Sequence, residues 1–269
     1  MSTQNTNRLA KNTIMLYVRM AFGMCVSLYT SRVVLNTLGV EDFGIYNVVA
    51  GVVSFLSFLS ASLQTATQRF LNVALGKNDD NSLRQTYSIS IIIHIGLAGI
   101  ILVIGESIGL WFLYNKLIIP DERFIAALWV YQFTLISTIG TLLTIPFNAE
   151  VIAHERMDVY AYLSILDIIL KLVIVYLLYI SPLDKLISYG FLYLLTTLLN
   201  RGLFVIYCKR NFLECHLTKK LNKDIFKEMV TFASWDIFGV IASVCSVQGT
   251  TILVNMFFGP IINAAKAIA

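Results

Sequence analysis

Eight ionisable residues interrupt the long apolar stretches of this chain, where charged side chains are rare. A charge near the centre of a membrane-spanning helix costs about 2.5–3.5 kcal/mol even on the lenient insertion scale, so it is usually paired or directed towards a polar path. Asp167 and Lys171 are one helical turn apart with the acid first, a spacing that favours a mutually neutralising, structural ion pair. The whole set is Arg19, Arg32, Arg69, Glu106, Asp167, Lys171, Arg201 and Asp236.

The apolar run at about 45–75 carries polar residues on one side only. On a helical wheel these residues share a sector of roughly 100°. They are Asn47, Ser54, Ser57, Gln64, Thr65, Gln68 and Asn72. Hydroxyl groups can serve as packing contacts between membrane helices, at about 0.6 kcal/mol per hydrogen bond. The amides favour instead the wall of a water-filled cavity, because lipid cannot solvate them.

A second polar strip follows the last complete apolar run at three- and four-residue steps. Its members are Asp236, Gly239, Ser243, Ser246 and Thr250.

The residues predicted to line the cavity are Arg19, Gln64, Gln68, Arg69, Asn72 and Asp236. Charges near helix ends could instead reach a membrane surface, Arg69 and Arg201 on the inner side and Arg32 and Glu106 on the outer side. A basic lumen lined with amides and hydroxyls suits an anionic, sugar-bearing head group.

Long apolar helices must position these groups. Hydrophobic residues make up 57% of the 269 residues and charged residues 13%, against about 45–50% and 25% in soluble domains. Runs longer than the roughly 20 residues that span a bilayer predict an all-α, polytopic transmembrane helix bundle. Seven runs lie at about 14–38, 45–75, 86–114, 124–147, 159–180, 187–207 and 233–258, and an eighth helix begins near Ile261.

Lysine and arginine are distributed unevenly between the connections. With a cytoplasmic amino terminus, the inner segments hold 11 of these residues and the outer segments hold 3, namely Lys116, Arg123 and Lys185. This asymmetry predicts that the amino terminus is inside. The net charge of +4 is therefore explained by membrane sidedness, and the basic residues form no patch that would bind nucleic acid.

Three segments are predicted along the chain: an amino-terminal lobe of six helices at 1–207, a cytoplasmic linker at 208–230, and the start of a second lobe at 231–269. The linker has the pattern of a basic amphipathic helix lying in the inner interface, although a solvated charged loop is an equal alternative. Leu221, Ile225 and Met229 lie on one face of it, and Lys220, Lys223 and Lys227 on another. Because the eighth helix stops far short of a span, we expect the chain to be a fragment.

Two segments resemble one another. LNTLGVEDFGIYNVVA follows the first helix and VNMFFGPIINAAKAIA follows the seventh, and each has an Asn, then a Gly, then an apolar restart. Two parallel six-helix repeats would give this spacing.

Signals for catalysis or metal binding are weak. The four cysteines form no CxxC pair, and His94, His154 and His216 are scattered without ligand spacing, so no metal or cofactor is predicted. A membrane glycan polymerase or glycosyltransferase would need a general base, metal carboxylates or a phosphate-gripping loop. No Walker loop is present. The sequence therefore predicts that the protein is not an enzyme.

The stretch TSRVVLNTLGVEDFGIYNVV, together with the later FGPIINAAKAIA, resembles O-antigen and capsular polysaccharide flippases of the Wzx type. These belong to the multidrug/oligosaccharidyl-lipid/polysaccharide (MOP) exporter superfamily. The resemblance implies a MATE-like lobe, two pseudosymmetric lobes in the whole transporter, and alternating access. It also implies a bacterial cytoplasmic membrane, an undecaprenyl-pyrophosphate-linked oligosaccharide as substrate, and other polysaccharide-assembly membrane proteins as partners. Arg19 and Arg69 correspond, by helix, to basic cavity residues of that family.

A drug or cation antiporter of the same superfamily is the nearest alternative. It would be expected to carry an acidic coupling site in the first lobe. Asp167 is acidic but has Lys171 as a predicted partner, and the first helix carries Arg19 rather than a carboxylate. These features rank the polysaccharide flippase first.

Overall fold

The computed structural model describes residues 3–56, 58–77, 79–218 and 221–268, without the side chains of 3–12, 55, 56, 58, 59, 61, 237–239, 242–244 and 268. Among these residues almost all are helical, and no strand occurs. The α-helices are α1 (Thr3–Leu38), α2 (Val40–Leu56), α3 (Phe58–Gly76), α4 (Asp80–Ile104), α5 (Leu110–Asn115), α6 (Phe124–Ala153), α7 (Met157–Ile180), α8 (Lys185–Asn211), α9 (Lys223–Val244) and α10 (Thr250–Ile268). Shorter turns are π-helical at Gly105–Gly109 and Cys245–Gly249, and 3-10 at Asp121–Arg123 and Leu213–Cys215.

Six helical stretches of the described chain are long and apolar enough to cross a membrane, which confirms the all-α, multi-pass fold class. They are Thr13–Leu38, Asp80–Asn115, Asp121–Ala153, Met157–Ile180, Lys185–Asn211 and Cys245–Ala267. The run predicted as the second helix is occupied by α2 and α3 on either side of residue 57, and residue 57 lies outside the described part of the chain.

Two helix ends differ from the sequence prediction. Helix α6 passes through Pro146 and continues to Ala153, because its last turns are buried against neighbouring helices at Ala149 and Glu150. From Lys223 onward, the basic segment of the linker belongs to a longer helix and is not a separate interfacial helix. It forms the first turns of α9, which runs on to Val244 with Met229 fully buried. Lys220 lies outside the described residues.

The apolar faces of the helices meet in two main cores. The first lies between α2, α3, α4 and α6 and includes Ile45, Val49, Val53, Ala127 and Leu135. The second packs the ends of α3, α4, α6 and α8 together around Leu71, Tyr87, Phe147, Phe204 and Cys208. Burial of the valines on α2 leaves its polar residues on the other side of the helix, as the helical wheel predicts.

An arginine joins three helix termini at one end of the bundle. Arg123 Nε donates to Asp42 Oδ1 at 2.7 Å, and its Nη1 donates to Asp184 Oδ2 at 2.5 Å. Asp184 also caps α8 by accepting from the backbone N–H groups of Leu186 and Ile187. Burial opposes ionisation of Asp184, but Arg123 and these N–H groups hold the pKa of its carboxyl below the ordinary value. The starts of α2, α6 and α8 are thereby fixed together.

The two similar sequence segments fold alike around their glycines. Gly39 (φ 84°) separates α1 from α2, and Gly259 (φ 78°) forms a kink within α10 before Pro260. Both values lie in the left-handed region that glycine adopts readily. Helix α10 packs against α2 so closely that a Cβ on Gly44 would lie 2.0 Å from the carbonyl oxygen of Pro260. Helix α10 therefore docks on α2 through backbone contact.

Candidate substrate cavity

A polar cavity lies within the lobe formed by α1, α2, α3, α6, α7 and α8. It consists of two adjoining pockets of about 500 and 320 Å³ that share four lining residues, and it is called here the lobe cavity. The shared residues are Asn148, Tyr160, Asp167 and Arg201. Asp167 lies near the middle of α7, a helix of membrane-spanning length, so the cavity reaches bilayer depth.

Three helices present polar residues to the lobe cavity at three- and four-residue steps, which places them on one face of each helix. Helix α6 contributes Thr134, Ser137, Thr138, Thr141 and Asn148. Helix α7 contributes Tyr160, Ser164, Asp167 and Lys171. Helix α8 contributes Tyr193, Thr197, Asn200 and Arg201. Lipid could not solvate such faces, so they require one another, water or a polar ligand.

An ion pair lies at the centre of the cavity wall. Lys171 Nζ is 2.7 Å from Asp167 Oδ2, with their side chains 37% and 19% exposed. Asn200 Nδ2 donates to Asp167 Oδ1 at 3.0 Å, so both carboxylate oxygens are engaged. The ammonium group also lies 5.3 Å from the centre of the Tyr193 ring, within reach of a cation–π contact. Asp167 is thus tied to both its own helix and α8.

Arg19 enters the lobe cavity from α1. Its Nη1 donates to Ser164 Oγ at 3.3 Å, and the guanidinium carbon lies 5.0 Å from the centre of the Tyr160 ring. The planar group is thereby held over an aromatic face with donors still directed into the cavity.

Several buried polar atoms of the lobe cavity have no hydrogen-bond partner within the described protein. They are Arg19 Nε, Arg201 Nε, Asn148 Oδ1 and Asn200 Oδ1. Buried polar groups are nearly always satisfied in folded proteins, so these atoms indicate contacts with water or a bound molecule.

The predicted site residues do not all meet. Arg19 and Gln64 line the lobe cavity. Arg69 lies in a separate groove of about 630 Å³ between α3 and α9, with its guanidinium carbon 4.4 Å from the centre of the Phe232 ring. Gln68, Asn72 and Asp236 are not among the lining residues of either place. Ser243 is among the residues whose side chains the structure does not describe.

Sequence reasoning missed most of the α6 and α8 wall. Arg201 was expected to reach the inner membrane surface, whereas it lines the lobe cavity beside Asn200. A helical wheel applied to α6 and α8 would have found the polar faces, since their hydroxyls and amides recur at helical spacing. The partnership of Asn200 with Asp167 joins residues 33 positions apart and has no local sequence signal.

A second cluster brings one of the three histidines, His154, against two glutamates. His154 Nε2 lies 3.1 Å from Glu150 Oε1 and 2.5 Å from Glu214 Oε1. The hydrogen bond to Glu150 raises the pKa of His154 above its ordinary value, although burial opposes this. His94 and His216 follow the expectation: His94 is buried and bonded to the carbonyl of Ser90, and His216 is exposed.

Comparisons with known proteins identify the fold. No family model matches the chain, and no curated protein sequence matches it. The structure of an inward-facing multidrug resistance MATE family transporter of the MOP superfamily aligns with a TM-score of 0.71 at 16% identity, covering 94% of this chain and 60% of that one. A crystal structure of a MATE mutant aligns with a TM-score of 0.55 at 16% identity, covering 96% and 64%. The chain thus spans less than two thirds of those proteins, and its fold is that of a MATE-like helical transporter lobe.

Proposed function

We propose that this chain forms the first lobe, and the beginning of the second, of a MOP-superfamily transporter. The proposed substrate is a large amphipathic anion, a lipid-linked oligosaccharide, which is turned over from the inner to the outer leaflet of a bacterial cytoplasmic membrane. The amino terminus is proposed to be cytoplasmic. The shared fold and the polar lobe cavity at bilayer depth support transport, and the resemblance to polysaccharide flippases supports the substrate class.

The charge of the lobe cavity is the observation that carries the proposal. Arg19, Lys171 and Arg201 line it as cations, and Asp167 is the one carboxylate among its lining residues. Because Asp167 neutralises only one of the three, the wall keeps an excess of positive charge. Guanidinium forks bind phosphate oxygens through paired, charge-assisted hydrogen bonds, and hydroxyls and amides suit sugars.

A MATE-type drug or cation antiporter shares the fold and is the alternative. An antiporter of cations needs a carboxylate that can exchange its partner for a proton, a metal ion or the drug. In this lobe cavity Asp167 is held by both Lys171 and Asn200. The occupied carboxylate and the surplus of cations favour an anionic substrate.

The Arg19→Ala variant tests the proposal. Loss of a charged hydrogen-bond donor is expected to weaken binding of a pyrophosphate-linked oligosaccharide about 10- to 100-fold and to abolish its export. The measurement is restoration of surface polysaccharide by the transporter that contains this lobe, in cells that lack their own flippase, together with the amount of protein inserted in the membrane.

Arg32→Ala is the matched control, because Arg32 lies on the same helix and is exposed outside the lobe cavity. Export retained by Arg19→Ala, or lost equally in both variants, would refute the role of the cavity charge. Proton- or sodium-dependent efflux of cationic drugs, unaffected by Arg19→Ala, would instead establish the antiporter.

A further inference from the structure

Three metal-ligating side chains converge away from the lobe cavity, at the end of the lobe where α6 passes to α7 and α8 passes towards α9. Glu150 is in the last turn of α6, His154 caps that helix, and Glu214 is in the 3-10 turn Leu213–Cys215. One ligand atom from each residue lies within 4.8 Å of the others. A single ion about 2.0–2.2 Å from each atom would fit this spacing after small side-chain shifts.

The cluster has a buried acceptor that no protein group satisfies. Glu150 is 0% exposed, and its Oε2 has no hydrogen-bond partner in the described part of the chain. A buried carboxylate without full compensation is costly, and among the described side chains His154 is the one basic group paired with Glu150 and Glu214.

Two arginines of the surrounding segments form their contacts with groups outside the cluster. Arg84 donates to the carbonyl oxygen of Leu213, and Arg156 pairs with Asp158. His154 is thus the basic group in contact with both carboxylates, and the unpartnered oxygen of Glu150 is open to a bound cation.

The imidazole is also oriented as a ligand. The ring of His154 stacks on Phe212, with the ring centres 4.4 Å apart and the planes 13° from parallel. This contact aims Nε2 at the two carboxylates and leaves it little freedom to turn away.

We propose that Glu150, His154 and Glu214 bind a divalent transition-metal ion, for which Zn²⁺ is the natural choice. One imidazole nitrogen and two carboxylate oxygens match the donors that Zn²⁺ accepts, and water can complete the tetrahedron. On binding, the ion replaces the proton that His154 Nε2 shares with the carboxylates, and that proton is released to solvent. The ion would clamp the end of α6 to the segment that leads from α8 to α9. This role is independent of the transported substrate.

Zinc titration of the purified chain tests the site. After treatment with EDTA, the protein is expected to bind one Zn²⁺ per chain, with a rise in melting temperature of about 5 °C at a hundredfold excess over Kd. Loss of a direct ligand in His154→Gln or Glu214→Gln is expected to weaken binding at least about tenfold. Co²⁺ in place of Zn²⁺ gives a second readout, the visible absorption of a tetrahedral ion.

The His216→Ala variant is the control, because His216 is an exposed histidine two residues from Glu214. It is expected to bind Zn²⁺ like the unmodified chain. Melting of each variant in EDTA shows that it is folded before metal is added. Absence of saturable binding, or equal affinity in the His154 and Glu214 variants and the unmodified chain, would overturn the proposal.

Discussion

Asp167→Asn is expected to destabilise the folded protein by about 1.5–3 kcal/mol, the range for hydrogen bonds to charged groups. The substitution removes the carboxylate that accepts from Lys171 at 2.7 Å and from Asn200 at 3.0 Å. It also removes the negative charge that offsets the repulsion between Lys171 and Arg201. Unfolding of the protein in lipid nanodiscs, followed by heat or denaturant, measures the loss.

Lys171→Met is expected to cost less, about 1 kcal/mol. After this substitution Asp167 still accepts a hydrogen bond from the amide of Asn200, and Arg201 still lies in the same cavity wall. In the double variant the two effects should not add, because the residues are in direct contact. A double loss equal to the sum of the single losses would show that the pair does not interact.

An exposed pair supplies the comparison. Arg156 and Asp158 lie 3.2 Å apart with side chains 48% and 39% exposed, and such surface pairs are worth about 0–1 kcal/mol. If Asp158→Asn destabilises the protein as much as Asp167→Asn, the location of the pair in the lobe cavity has no energetic importance.

The second large effect is expected from Gly44→Ala, which should destabilise the docking of α10 on α2 by about 1–3 kcal/mol. The added Cβ would lie 2.0 Å from the Pro260 carbonyl oxygen, and a backbone atom cannot rotate away as a side chain can. The two helices must therefore separate. Thermal unfolding measures the cost.

Gly99→Ala should not destabilise the protein, in contrast to Gly44→Ala. Gly99 is in α4, and a Cβ there would meet no atom within 4 Å. Alanine is favoured over glycine within a helix by about 1 kcal/mol, so stability should be unchanged or increased. If Gly44→Ala and Gly99→Ala change the thermal stability equally, the close contact between α2 and α10 is absent from the folded protein.

The positions of the membrane helices could be predicted because each depends on local composition. Apolar runs of spanning length identified α1, α4 and α6 to α8, and the glycine shared by the repeated segments marked the breaks at Gly39 and Gly259. Helix ends were less predictable. Burial of Glu150 and Met229 extends α6 and α9 beyond the limits of their apolar runs.

The cavity could be predicted only in part, because a polar face does not reveal which helix it will meet. Gln64 and Arg19 reach the lobe cavity, whereas Arg69 packs on Phe232 in a separate groove. The Glu150–His154 pair has the i, i+4 spacing of a local contact and could have been noticed in the sequence. Glu214 comes from 60 residues farther along the chain, so its arrival depends on the packing of α6 against α8.

If the lobe cavity holds water at bilayer depth, a thiol in its wall should react with a water-soluble reagent, and cysteine labelling measures this reaction. The exposed thiols Cys25 and Cys245 are first replaced by serine, and the buried Cys208 and Cys215 are retained. Thr141→Cys then places a thiol in the cavity wall, and Val173→Cys places one on an exposed face of α7 outside it. Both are treated in vesicles with a membrane-impermeant methanethiosulfonate added on each side. A water-filled lobe cavity should give rapid labelling at position 141 and little at position 173, and an unreactive thiol at 141 would show that the cavity is closed to water.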